Sequence, residues 1–473
     1  MFDGFHNATD AWARSAHVTV VVSCYHYQPL PLLPPALEQQ YRSRTLADSG
    51  LKEFIEAQPG ARPGSWPSGE LTLGTLTLVA FYFHPDLDTA RARLAASEGA
   101  VITARTKPNP NLTAAGGYTN AERAPYALQF ALDWTIETAG KRTYRTSHAR
   151  NLLVASRIAL GETAWQIRSR VRAELLDHLL ASRELDALRQ EQQTRTEALK
   201  LYDERLEAGE ISQPEVDVVC TSLMLLDVTM QRATGRQNET RIALETALGL
   251  APGALDGVQL RWDSFESPPG EDRLPLSSVQ RAGLLNRLDV QRLLAEYAAS
   301  ENALQLEAAR KYPDIHLTPG YEFMEGFNSY LIGPSLLLPL RDRNKGPIAE
   351  AEARRKEAAA RFLSQQAAAI DQVGRALIRY HAALADFRDA DSRLKALLQG
   401  RERAVQEQIR AGEADQLTLA GVRLEALAAT RARLNALRDA QTALGALEDA
   451  VQYPLENGIP LPPVPPTNPG RTP

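Results

Sequence analysis

The chain has 473 residues, 44% of them hydrophobic and 23% charged, with a formal net charge of −5. That length points to two or more structural units, the charge gives no reason to expect nucleic acid or an acidic ligand, and the Ala/Glu/Arg/Leu-rich tracts that hold most of the charge lean towards long helices. Runs of about 18 apolar residues are absent, so no transmembrane helix is available, and a membrane would have to be crossed as a closed barrel.

The first 24 residues carry Arg14, then the short apolar run Val20-Val21-Val22 closed by Ser23 and Cys24. This pattern reads as a bacterial lipoprotein signal with Cys24 as the lipidated first residue of the mature chain. The alternative is a chance apolar stretch near a mis-assigned start. The second cysteine, Cys220, falls in a helical tract and is read as a small buried residue. Residues 25–80 are rich in Pro, Gly and Ser and are expected to be irregular.

A helix is expected over 86–107, stopped by Pro108 and Pro110. A weakly alternating stretch at 112–118 and a turn at 119–124 follow. Over 126–136, Tyr126, Leu128, Phe130, Leu132, Trp134 and Ile136 alternate without error with small or polar residues, which predicts a strand with one apolar face. Residues 143–207 contain no proline, and their apolar positions Leu160, Ala164, Ile167, Val171 and Leu175 recur at three and four, so one helix of about 100 Å is expected. It ends at Ala208-Gly209-Glu210, where the glycine suits a left-handed turn. A returning helix runs over 214–248, with Pro214 in its first turn.

Residues 251–280 are again expected to be irregular. The plan then recurs at an offset of 203. Asp86 through Glu98 matches Asp289 through Glu301, Pro110, Gly117 and Tyr118 match Pro313, Gly320 and Tyr321, and Ala208-Gly209-Glu210 matches Ala411-Gly412-Glu413. Lys141 matches Lys345 at 204, which implies a one-residue gain and loss between these anchors. A unit this long is a structural half, not a solenoid repeat. In the second copy Ile315, Leu317, Pro319, Tyr321 and Phe323 alternate with Asp314, His316, Thr318, Gly320 and Glu322. After a turn at 325–328, Ile332, Pro334, Leu336 and Leu338 take one face. A long helix over 348–410 is expected to be one coiled-coil seam through Leu363, Ile370, Val373, Leu377, Leu384, Phe387 and Leu394. The last helix, 415–451, carries the stripe Leu437, Ala440, Leu444, Leu447 and Val451. The proline-rich tail 454–473 has no periodicity.

Each copy is thus a pair of strands of roughly ten residues, a length that suits a tilted bilayer crossing, joined to a very long helical hairpin. Four strands cannot close a barrel, so several chains must combine. No enzymatic site emerges. His6, His17, His26, His84, His148, His178, His316 and His381 are scattered without metal-ligand spacing, and neither a phosphate-binding glycine loop nor a nucleophile motif occurs. No cofactor is implied. Glu210, Glu413 and Asp415 admit two readings: acidic residues favoured at the start of the following helix, or a gating or docking role.

The duplication, the Pro-led strand hairpins, the glycine tips and the tract Leu132-Asp133-Trp134-Thr135-Ile136-Glu137-Thr138-Ala139-Gly140-Lys141-Arg142 resemble TolC-type outer-membrane efflux proteins, in particular the outer-membrane components of heavy-metal cation efflux systems. Leu338-Pro339-Leu340-Arg341-Asp342-Arg343-Asn344 resembles the matching second-copy segment. The resemblance covers residues 25–455. It implies a mainly α fold with a β-hairpin pair, which trimerises into a 12-stranded β-barrel on an α-helical barrel. It implies a homotrimer in the outer membrane of a Gram-negative bacterium, in contact with outer-membrane lipids and anchored by lipid at Cys24. A periplasmic adaptor (membrane fusion protein) and an inner-membrane RND pump would be its partners. Ala208, Gly209, Glu210, Ile211 and Ser212 would form one periplasmic tip for docking and gating, and Ala411, Gly412, Glu413, Ala414 and Asp415 the other. The implied segments are a signal region (1–24), an N-terminal segment with the first helix (25–108), membrane hairpin 1 (109–136), helical hairpin 1 (137–249), an equatorial linker with the matching helix (250–311), membrane hairpin 2 (312–340), helical hairpin 2 (341–453) and the tail (454–473). The competing expectation is a periplasmic coiled-coil adaptor, although such proteins carry a single helical hairpin.

Overall fold

The structure, a computed structural model, describes residues 27–58, 66, 70–118, 120, 122, 125–270 and 287–455. Cys24 and the tail beyond Leu455 lie outside the described residues. The chain divides into two units, one ending at Ser43 and one beginning at Arg44. The first contains α1 (Pro34–Arg42), which opens on proline and buries none of its own side chains.

The second unit departs from expectation at its start, because the described residues of 44–80 include helices: α2 (Ser49–Glu56), N-capped by the Asp48 carboxylate, and the first turns of α3 (Leu73–Phe83), N-capped by Thr72. Every residue of α3 from Leu76 to Phe83 is buried. A helix that is apolar on all sides shows no amphipathic period, and burial in a core is what stabilises it. Next come α4 (Pro85–Arg105), β1 (Asn111–Tyr118), β2 (Tyr126–Ile136), α5 (Lys141–Glu207) and α6 (Gln213–Leu248). Residues 251–270 are irregular apart from the short α7 (Asp263–Glu266).

The second copy repeats the first. It comprises α8 (Leu288–Ala309), β3 (Ile315–Leu317), β4 (Gly320–Met324), β5 (Phe327–Leu331), β6 (Pro334–Leu336), α9 (Lys345–Asp389), a π-helical turn (Ala390–Leu394), α10 (Lys395–Ala411) and α11 (Gln416–Val451). The helices α4 and α8 begin at 85 and 288, and α6 and α11 run over 213–248 and 416–451, so the 203-residue offset is kept through the architecture.

Two expected continuous elements are broken in this copy. The strands of the second hairpin are interrupted at Thr318-Pro319 and at Ile332-Gly333. Proline has no N–H to give to the ladder. The Pro319 carbonyl still accepts from Leu132, and Thr318 still donates to the Gly333 carbonyl. The long helix is interrupted by the π turn, where the Asp391 carboxylate accepts from Arg433 and the Arg433 guanidinium lies 5.6 Å over the Phe387 ring. The expected seam also divides. Val373, Leu377, Leu384 and Phe387 are buried, whereas Leu363 and Ile370 are 62% and 51% exposed. Cys220, expected buried, is only partly so.

The strands form one antiparallel sheet. β2 pairs with β1 on one side and with β3 and β4 on the other, and these pair with β6 and β5. The outer edge of β1 and the outer edge of β5/β6 have no further partner strand among the described residues. The main core lies in the helical part, where the expected stripes Leu160, Ala164, Ile167, Val171 and Leu175 of α5 meet Leu437, Ala440, Leu444, Leu447 and Val451 of α11, with α3 and Leu244 and Leu248 of α6. Charge is buried there too. The Glu448 carboxylate, 1% exposed, accepts from Arg168 at 2.8 Å and lies 3.5 Å from Arg172, and the Leu455 amide donates to it at 2.7 Å. Arg172 also donates to the Gln441 side chain at 2.7 Å. Such a pair fixes which faces of α5 and α11 meet, because any slip would leave a buried ion unpaired.

Candidate functional site

Two regions bear on function: the two faces of the sheet and the far ends of the helical hairpins. Cross-strand register sorts the sheet residues into rows. Ala114, Phe130, Tyr321 and Tyr330 form one row, and Ile136, Ile315 and Leu336 another on the same face. On the opposite face Ala115, Gln129, Glu322 and Ser329 align, as do Thr135, His316 and Ser335. The apolar face has no cover: Phe130, Trp134 and Tyr330 are 46%, 53% and 82% exposed. An ordinary half-buried strand points such residues at a core; here they point at solvent. Aromatics sit at both ends of the face. Tyr118 stacks edge-on against Tyr126 beside the first turn, and Trp134 lies near the helices. Apolar-out, polar-in alternation with aromatic girdles is the pattern of a barrel wall facing lipid.

On the polar face, His316 Nδ1 lies 3.1 Å from the Asp133 carboxylate. Below the strands, Asp314 accepts from Lys141 at 2.7 Å and from the Thr138 amide at 2.9 Å, which ties the start of α5 to the second copy. The second hairpin turns through Glu325 and Gly326, both at positive φ (51° and 86°), as a two-residue type I′ turn requires. This is tighter than the expected 325–328.

The two tips share one backbone design. Gly209 takes φ +73°, its amide donates to the Leu206 carbonyl, and the Glu210 amide reaches back to Arg205 at 2.9 Å. Gly412 takes φ +77°, with its amide on Ile409 and the Glu413 amide on Gln408 at 2.8 Å. Both are Schellman closures. A Cβ on either glycine would meet nothing within 4 Å, so glycine is favoured by φ alone. After the turn each returning helix is capped by side chains. Glu215, which sequence reasoning did not single out, accepts from the Ser212 amide at 3.0 Å; the spacing Ser-x-x-Glu is the signal that would have found it. Asp415, expected as an acid favoured at a helix start, accepts from the Thr418 amide and hydroxyl at 2.8 and 2.6 Å.

Of the ten tip residues, Glu210 and Asp415 share a partner, Arg205. The Arg205 guanidinium bonds Asp415 at 2.6 Å and lies 3.9 Å from Glu210, so it crosses from the first hairpin to the second. The Thr418 hydroxyl, then its amide, then Arg205 hold the Asp415 carboxyl down at about 2. Helix-start chemistry and a cross-hairpin contact therefore coincide in one residue. Ala208, Gly209, Ser212, Ala411, Gly412 and Glu413 are exposed, and Ile211 and Ala414 are half-buried. Beneath the second tip, Val405, Leu419 and Val422 form a small core of their own.

The histidines do not converge. His84 and His178 are pushed below their usual range, mainly by burial, and His178 faces the Thr240 hydroxyl at 3.3 Å. Among the described residues, no group of three metal-ligating side chains occurs and no helix is long and apolar enough to cross a membrane.

Residues 83–250 match the family model described as outer membrane efflux protein. The chain is 24% identical over 290 residues to the cobalt-zinc-cadmium resistance protein CzcC of Cupriavidus metallidurans, an alignment covering 59% of this chain and 66%, just under two thirds, of that protein. Among solved structures it is similar to the outer membrane protein VceC of Vibrio cholerae, at TM-score 0.63 and 18% identity over 80% of this chain and 95% of that one. It is also similar to CusC, whose structures concern transmembrane channel formation, at TM-score 0.64 and 17% identity over 82% and 94%. The duplicated helical and strand-hairpin fold is the fold of these proteins.

Proposed function

Because this chain carries an outer-membrane efflux protein domain at residues 83–250 and folds as such channels do, we propose that it is the outer-membrane exit duct of a tripartite efflux pump. It would passively conduct solute from an inner-membrane RND pump and periplasmic adaptor to the outside. The observation that carries this reading is the six-stranded antiparallel sheet, four strands across because β3/β4 and β5/β6 each continue one line, with two open edges and an uncovered apolar face. An open edge recruits another strand, and three such sheets joined edge to edge make a closed wall of 12 strands around a polar lumen. The homotrimer is part of the proposal. So is lipidation at Cys24, which would add an anchor to the barrel.

The chain itself does no bond-making chemistry in this reading. The polar strand face gives a wetted path, helices of about 100 Å extend it across the periplasm, and the tips govern entry. Arg205–Asp415 holds the two hairpins of one protomer together, and splaying the tips requires that contact to part. Within Ala208–Ser212 and Ala411–Asp415, the residues Ala208, Gly209, Ser212, Ala411 and Gly412 present small and exposed groups at the turns, a surface an adaptor can approach closely. The cargo is proposed to be a divalent metal cation, on the likeness to CzcC. Two measurements test the proposal. The purified protein is expected to run as a trimer and to give discrete conductance in a planar bilayer; a soluble, non-conducting monomer would refute the duct. Deletion is expected to sensitise cells to cobalt, zinc or cadmium; sensitivity to drugs alone would refute the cargo and leave the duct standing.

A further inference from the structure

Basic side chains without acidic partners gather where the strands meet the helices, in both copies. In the first copy, Arg105 ends α4, and Arg142 and Arg150 lie on the opening turns of α5. With Thr143, Thr146 and Ser147 they line a cavity of about 300 Å³. The acids nearby are engaged elsewhere: Glu137 is bidentate on Arg145 at 2.5 and 3.2 Å, and Asp314 is held by Lys141. The three lining arginines have no carboxylate within ion-pair distance among the described residues and are exposed.

The second copy repeats the arrangement. Arg310, Lys311 and Arg341 line a cavity of about 490 Å³ together with Leu337, Leu338 and Leu340. Arg310 pairs with Glu307, and the Asp342 carboxylate accepts from the Asn344 amide. Lys311 and Arg341 have no ion-pair partner among the described residues. The apolar surface begins beside both cavities. Leu337, Leu338 and Leu340 are 81%, 63% and 80% exposed, Trp134 and Ile136 end β2, and Ile102 is 70% exposed one turn before Arg105.

We propose that these corners bind the phosphate groups of anionic phospholipid in the leaflet that meets the helical end of the sheet. Guanidinium groups match phosphate in charge and geometry. The Thr143 and Ser147 hydroxyls supply further donors. The adjoining exposed apolar surface fits an acyl chain, which free phosphate lacks, so charge complementarity and apolar continuity together select a lipid. The proposal rests on the strands crossing a bilayer.

The test uses the full-length protein in nanodiscs and in zwitterionic detergent, titrated with phosphatidylglycerol, phosphatidylcholine or inorganic phosphate, with bound lipid counted by native mass spectrometry. The wild type is expected to retain phosphatidylglycerol over phosphatidylcholine. The triple variant R105Q/R142Q/R150Q is expected to lose about fivefold in phosphatidylglycerol affinity per guanidinium, on the order of a hundredfold in all, with its channel conductance unchanged. The pair K311Q/R341Q is expected to lower retention independently. Equal retention by wild type and triple variant overturns the proposal. Release of the lipid by millimolar inorganic phosphate alone overturns the lipid as the occupant. A protein that fails to insert or conduct at all instead refutes the duct reading.

Discussion

The glycines offer a test in which adding a Cβ has opposite signs at different places. Gly209 and Gly412 sit at φ +73° and +77° with no atom within 4 Å of a would-be Cβ. The Cβ of a valine at either position therefore meets nothing, and the cost is chiefly that of the left-handed backbone, about 1–2 kcal/mol for an L-residue. Gly235 is exposed inside α6, again with no atom within 4 Å, but in ordinary helical conformation. Alanine there should stabilise by about 0.8–1 kcal/mol. The readout is amide hydrogen exchange of peptides spanning residues 203–216 and 406–419, corrected for intrinsic rates, since tips open locally. Gly209→Val and Gly412→Val should each speed exchange at their own tip by about 5- to 30-fold. Gly235→Ala should slow exchange in α6. Under the duct proposal the two tip variants also impair export when combined. Unchanged tip protection in Gly209→Val, or a destabilised α6 in Gly235→Ala, would refute the assignment of left-handed geometry as the reason for glycine at the tips.

Gly249→Ala should be worse than either tip change. Its Cβ would lie 2.9 Å from the Phe83 carbonyl carbon and oxygen and 3.1 Å from the His84 Cα, all backbone, at φ +73°. Overpacking of about 1–3 kcal/mol is then added to the backbone term, seen as a lower melting temperature by circular dichroism. Glu448→Ala leaves Arg168 and Arg172 buried without their carboxylate and should destabilise by about 3–5 kcal/mol; a melting curve overlying that of the parent would show that these charges reach water. The Asp415 carboxyl is held at about 2, below its ordinary 3.8, so its contribution is complete above pH 4 and disappears as pH falls towards 2. The site is exposed, so the effect is below about 1 kcal/mol. Tip protection at residues 412–420 should decline over that interval, and Asp415→Asn should abolish the pH dependence.

Elements whose stability is decided locally were legible. The duplication, the perfect alternation of 126–136, the three-four stripe of α5 and the Ala-Gly-Glu tips each carry their signal within a few residues, because strand pleat, helix pitch and a left-handed turn are properties of short segments. The helix α3 was not legible, since Leu76–Phe83 is apolar on every side and only the core around it selects helix. The break at Pro319 is legible in part, because proline fits the alternation as an apolar position while its missing N–H interrupts the ladder.

The sequence by itself determined the repeated unit, the two faces of the sheet and the left-handed tips. Tertiary structure alone decided that Leu363 and Ile370 leave the seam that Val373 and Leu377 enter. It alone decided that Glu448 is shared by Arg168 and Arg172, and that Arg205 meets Asp415. Those pairs are separated by more than two hundred residues in the chain, and no local periodicity carries a contact that exists only once two distant helices have packed.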